Sequence, residues 1–173
     1  MKDKTIVLLG HSLIEYGDWQ EWLPEFNVIN LGVAGETTEG LASRMESLLR
    51  DYPGADYYLI MSGINNIAMD DYGFLDTYRW IIKKLKESSP NSQIIVHSIL
   101  PCKIEFIDNN EIKKTNEKLR AIADAEGAYF LDLYDRFVDH SGEAVGEYLL
   151  DDGVHLSKEG YRVWVEELRK IIR

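Results

Sequence analysis

Two hydrophobic periods alternate along this chain, and the alternation leaves few folds open. Short apolar runs lie at 5–9 (TIVLL), 26–30 (FNVIN), 57–61 (YYLIM), 93–97 (QIIVH) and 128–131 (AYFL). Each is bounded by turn formers, as buried strands are. Between them the spacing predicts helices at roughly 37–50, 71–88, 109–126 and 157–172, with a shorter one at about 13–22. Five strands interleaved with helices imply an α/β fold, a five-stranded parallel sheet covered on both faces. Asp108 and Glu111 have the spacing of a capping box, Gly127 has the place of a helix stop, and Ser157 that of an N-cap. No linker or repeat divides the 173 residues, so 1–173 reads as a single domain.

Composition narrows the partners. A net charge of −11 leaves no clustered basic footprint for nucleic acid, and Lys83-Lys84-x-Lys86 reads as a solvated helix face. Cys102 is the only cysteine, which excludes an intramolecular disulfide and a cysteine-rich metal site. Four histidines without a close pair argue against zinc. No segment has transmembrane length and the start lacks a secretory apolar region, so no stable membrane insertion is expected. A cytoplasmic placement is the expectation, with a trimmed secreted chain left open.

In a parallel sheet the ligand site lies beyond the carboxyl ends of the strands, at the reversal of strand order. The residues following each run are therefore informative. The first is followed by Gly10-His11-Ser12-Leu13, placing a hydroxyl at a helix start where backbone N–H groups are free. The second leads into Asn30-x-Gly32-x-x-Gly35, and either glycine lets the backbone approach a ligand. The third leads into Gly63-Ile64-Asn65-Asn66, where either amide is a neutral donor. Asp152 precedes His155 by three residues, so one turn brings the carboxylate onto the imidazole Nδ1–H and leaves Nε2 to accept a serine proton. A nucleophile, an oriented base and several oxyanion donors are the parts acyl transfer needs. None of it requires a cofactor or a metal.

These four blocks, in this order along the whole chain, resemble those of the SGNH hydrolases, the GDSL-type esterases and lipases. Gly10-His11-Ser12-Leu13 is similar to the GDSL block, and Asp152-Gly153-Val154-His155-Leu156 with Gly160-Tyr161 to the family's ending. The resemblance implies a flavodoxin-like three-layer α/β/α sandwich. It implies Ser12 as nucleophile, His155 as base and Asp152 as its orienter. The oxyanion hole would comprise the Ser12 and Gly35 N–H groups and the Asn65 amide. Gly35 is preferred to Gly32 because Gly35-Glu36-Thr37 follows the family's G-D-T form, and Asn65 to Asn66 by its place after the glycine. His11 and Asn66 stand where the family usually has aspartates. His11 has no carboxylate partner in the local sequence and reads as a structural or rim residue.

The expected activity is hydrolysis of small or medium acyl esters or thioesters through an acyl-serine. Acyl transfer to a sugar or other alcohol would use the same residues. A non-catalytic flavodoxin-like domain fits less well, because His11-Ser12 and Asn65-Asn66 occupy the positions where a phospho-receiver carries acids. Ile64, Phe106, Ile107 and Tyr148 are candidates for the acyl pocket. Trp19 and Trp22 fall on the short helix after Ser12. His97 is expected as a satisfied core or rim histidine, His140 as a surface residue and Cys102 as an inert thiol. The partner is a small-molecule ester, and a homodimer is left open.

Overall fold

A computed structural model describes residues 4–173. The five expected runs form strands β1 (Thr5–Gly10), β2 (Asn27–Gly32), β3 (Tyr57–Met61), β4 (Gln93–His97) and β5 (Tyr129–Leu131). They make one sheet in the order β2-β1-β3-β4-β5, with every neighbouring pair parallel. β1 lies between β2 and β3. Successive connections leave it toward opposite halves of the sheet, which places the switch point at its carboxyl end.

Strand residues alternate between two cores, as a period of two requires. Val7, Leu9, Tyr58, Ile60, Ile94 and Val96 face one side. There they pack on helices α3 (Thr38–Ser43), α4 (Met45–Asp51), α6 (Leu75–Ser88) and α7 (Asn109–Ala125). Ile6, Leu8, Tyr57, Leu59 and Ile95 face the other, against α1 (Ser12–Glu15), α2 (Trp19–Trp22) and α8 (Lys158–Leu168). The result is the flavodoxin-like α/β/α sandwich. Trp19 and Trp164, both almost fully buried, meet edge-on at 4.9 Å and anchor α2 to α8.

Several local expectations change. The 13–22 helix is two single turns, broken at Tyr16–Asp18, with the Trp19 indole Nε1 donating to Ile14 O at 2.7 Å across the break. The 37–50 helix is interrupted at Arg44, whose guanidinium reaches back to the Glu36 carboxylate and Leu31 O. The third block contributes α5 (Ile64–Ala68), a turn too short to show periodicity. Asp108 caps α7 through the Asn110 N–H at 2.8 Å, whereas Glu111 pairs with Lys114, so the reciprocal half of the capping box is not made. Gly127 does end α7 at φ +68°, and Ser157 caps α8 through the Gly160 N–H. Among the described residues no helix is long and apolar enough to cross a membrane.

Candidate active site

Gly10 ends β1 at φ +151°, and a Cβ there would lie 2.0 Å from Met61 O. Only glycine fits so close to β3, and the chain turns at once into α1. Ser12 is the first residue of α1 and is 9% exposed. Its Oγ lies 3.0 Å from His155 Nε2, and His155 Nδ1 lies 2.6 Å from Asp152 Oδ2. An ionised carboxylate only accepts, so Nδ1 carries the proton and the Nε2 lone pair faces the serine. The other Asp152 oxygen accepts the Val154 and His155 backbone N–H groups, both at 2.9 Å. The His155 bond, then those two, hold the Asp152 carboxyl down at about 2. The Leu150 N–H donates to His155 O at 2.7 Å, fixing the loop from its other side. Tyr16 completes the wall, its ring tilted over the imidazole at 5.4 Å between centroids.

The second block lies against α1. Gly10 O accepts the Val33 N–H at 2.9 Å, and the Glu15 carboxylate accepts the Ala34 N–H at 2.7 Å. Asn30 donates to the Glu15 carbonyl and to that of Ile14, which also accepts the Trp19 indole N–H. These bonds present Gly35 at φ +76°, with its N–H donating to no group among the described residues. The same holds for the Ser12 N–H. Gly32 has another job. Its N–H is taken by Asn30 Oδ1, and a Cβ on it would meet Glu15 N at 2.3 Å. Asn65 Nδ2 donates one hydrogen to Glu36 O at 2.9 Å, which ties α5 to the Gly35 turn and leaves the second hydrogen available.

His11, beside Ser12, is 2% exposed, and its Nδ1 faces the Leu13 N–H at 3.4 Å. Burial, and then repulsion from His155, push its pKa down to about 4, so it stays neutral at pH 7. It lines a small cavity of about 10 Å³ together with Leu13, Ile64, Ile99, Cys102 and Val154. That is room for about one water-sized group. Of the four expected pocket residues, only Ile64 lies here. Cys102 N and O are both bonded to the Asn109 side chain, and the Lys103 N–H donates to Gly153 O, turning the rest of that connection outward. Phe106 is 77% exposed, and it lines an open polar groove with Ile107 on the far side of the connection. Tyr148 instead packs edge-on against Phe137.

Of the remaining groups, only Cys102 touches the site, as part of the cavity wall. His97 is buried with Nδ1 at 3.1 Å from Ile60 O, but its Nε2 has no partner among the described residues, so it is only half satisfied. Burial lowers its pKa to about 4. His140 is exposed. The Cys102 thiol is buried, which pushes its pKa up. Trp19 is in the core with Trp22 packed beside it.

Comparison with known proteins gives the family and the fold. Residues 8–163 match the model of the GDSL-like Lipase/Acylhydrolase family. Platelet-activating factor acetylhydrolase IB subunit alpha1 of Bos taurus is 24% identical, over 92% of this chain and 71% of that protein. An N-acylneuraminate cytidylyltransferase of Escherichia coli is 30% identical over 97% of this chain, which spans only 40% of that protein. A solved structure from Streptococcus pneumonia superposes with a TM-score of 0.88 at 27% identity, covering 95% of this chain and 82% of that one. The match to the family model takes in Ser12 and His155 alike, and the chain belongs to the GDSL-like lipase/acylhydrolase family.

Proposed function

We propose that the protein is a serine esterase that removes acetyl or similarly short acyl groups from an alcohol through an acyl-Ser12 intermediate. The unbroken line from Ser12 Oγ through His155 to Asp152 carries this reading. Ser12 Oγ attacks the ester carbonyl as its proton passes to His155 Nε2. The carbonyl oxygen becomes an oxyanion, met by the Ser12 and Gly35 N–H groups and the second Asn65 hydrogen. His155 then gives the proton to the departing alkoxide. Water repeats the cycle in reverse roles and frees the acid.

The short acyl group is supported by the 10 Å³ cavity lined by His11 and Leu13, the residues on either side of Ser12 in the chain, which suits a methyl and little more. A curated relative named as an acetylhydrolase points the same way. The test is turnover of p-nitrophenyl acetate, with labelling by a fluorophosphonate probe. Ser12→Ala should lose label and about three or more orders of magnitude in kcat. Unchanged turnover in that variant would overturn the assignment.

A further inference from the structure

Asn66 lies beside Asn65 but is not aimed at Ser12. It is fully buried, and every bond its amide makes crosses between segments. Its Oδ1 accepts the Thr38 N–H at 2.9 Å, at the start of α3. Its Nδ2 donates to Glu39 Oε2 at 2.7 Å and to Asp71 Oδ2 at 2.9 Å. The Asn66 carbonyl also accepts the Asp71 N–H at 2.9 Å, and the other Asp71 oxygen accepts from Gly73. Thr38 is held a second time, its Oγ1 lying 2.8 Å from Ser62 Oγ. One amide thus clamps the Gly35–Thr38 turn to the α5 turn that carries Asn65.

The charge pattern fixes the residue type. Both acceptors on the Nδ2 side are carboxylates, and Asp70 stands next to one of them. Arg44, at the end of α3, is occupied by Glu36. An aspartate at 66 would put a third carboxylate against Glu39 and Asp71 and offer neither a hydrogen. The asparagine is therefore matched to Glu39 and Asp71 as a set. Its bond holds the Asp71 carboxyl below the usual range, as expected of a donor satisfying a charge.

We infer that Asn66, with Glu39 and Asp71, is a positioning residue for the oxyanion hole, setting the spacing between the Gly35 N–H and the Asn65 amide. The spacing matters because Asn65 is itself aimed by the Glu36 carbonyl, two residues before Thr38. If α3 shifts against α5, that carbonyl moves and the free Asn65 hydrogen swings away from the reacting oxygen. Displacements of about 1 Å at such donors cost on the order of 100-fold in rate. Substrate binding, which precedes any negative charge, should hardly change.

The inference rests on Asn65 and Gly35 being oxyanion donors, so the experiment separates the two claims. Asn65→Ala tests the donors and should lower kcat about 100- to 1000-fold. Asn66→Asp tests the clamp and should lower kcat about 10- to 100-fold with KM within about twofold. The triple variant Asn66→Asp, Glu39→Gln, Asp71→Asn reverses donors and acceptors across the same contacts and should restore kcat to within about threefold. Glu39→Ala, a change at an exposed residue, should lower kcat about 3- to 10-fold even if Asn66→Asp does not fold. A normal kcat in both Asn66→Asp and Glu39→Ala, with Asn65→Ala impaired, would overturn the clamp and spare the donors. A folded triple variant no better than Asn66→Asp would overturn the matched-charge argument. Normal turnover in Asn65→Ala would overturn the oxyanion reading itself.

Discussion

Replacing Asp152 by asparagine tests the proton path where one atom decides the outcome. Asparagine keeps the oxygen that accepts the Val154 and His155 N–H groups, but puts an NH₂ where the other oxygen meets His155 Nδ1. The imidazole must then turn a lone pair toward that NH₂ and carry its proton on Nε2. Nε2 faces Ser12 Oγ at 3.0 Å, and in this tautomer it cannot take the serine proton. A charge effect adds to the loss. An imidazolium about 4 Å from a carboxylate gains about 4 kcal/mol at an effective dielectric near 20. That is about a thousandfold in rate, and an upper figure here, because the Asp152 side chain is 50% exposed. Together the effects should lower kcat for p-nitrophenyl acetate by about 10³–10⁴, with fluorophosphonate labelling slowed in parallel. The melting temperature should barely move, since both backbone bonds survive. Asp152→Ala removes those bonds as well and should cost about 1–3 kcal/mol of stability on top of the activity. More than a tenth of wild-type turnover in a folded Asp152→Asn would refute the reasoning.

Two further outcomes follow from the cavity and the buried histidines. Val154→Ala widens the proposed acyl cavity from its half-buried side and should raise the butyrate-to-acetate ratio of kcat/KM about tenfold, measured with graded p-nitrophenyl esters; an unchanged ratio would place the acyl group elsewhere. His11 and His97 both have folded pKa values pushed down to about 4 by burial. Unfolded histidines protonate near about 6.5. The unfolded chain therefore binds more protons between these values, and stability falls as pH drops from about 6.5 toward 4. Urea unfolding should show a loss of roughly 2 kcal/mol per histidine between pH 7 and pH 5, and equal stability at the two would contradict their burial as neutral groups.

The strands and the rim were legible because both rest on local rules. A run such as TIVLL needs burial on both faces, and the residue after such a strand must stand at the sheet's carboxyl edge. Asp152 and His155 were legible as a pair because three residues of turn suffice to join them. The pocket was not. Whether Phe106 or Cys102 faces inward depends on Asn109 pinning the Cys102 backbone and Gly153 O taking the Lys103 N–H, contacts no period encodes. The breaks at Tyr16–Asp18 and Arg44 were hidden for the same reason, since distant carbonyls and a carboxylate compete there with helix continuation. The Asn66 set was hidden because its partners come from α3 and from the turn after α5.

Ser12 and His155 are 143 residues apart in the chain. Synthesis delivers them in that order, at roughly 5–20 residues per second, so the hydroxyl waits roughly 7–30 s for its base. Through that interval its neighbour His11 has no carboxylate to orient it, and Ser12 is an ordinary alcohol. A ribosome-bound chain that has already folded β1, β2 and β3 would carry a recognisable mouth with no chemistry in it. On the proposed mechanism, arming is a late event in the protein's biosynthesis, and fragments released before His155 emerges would be hydrolytically silent.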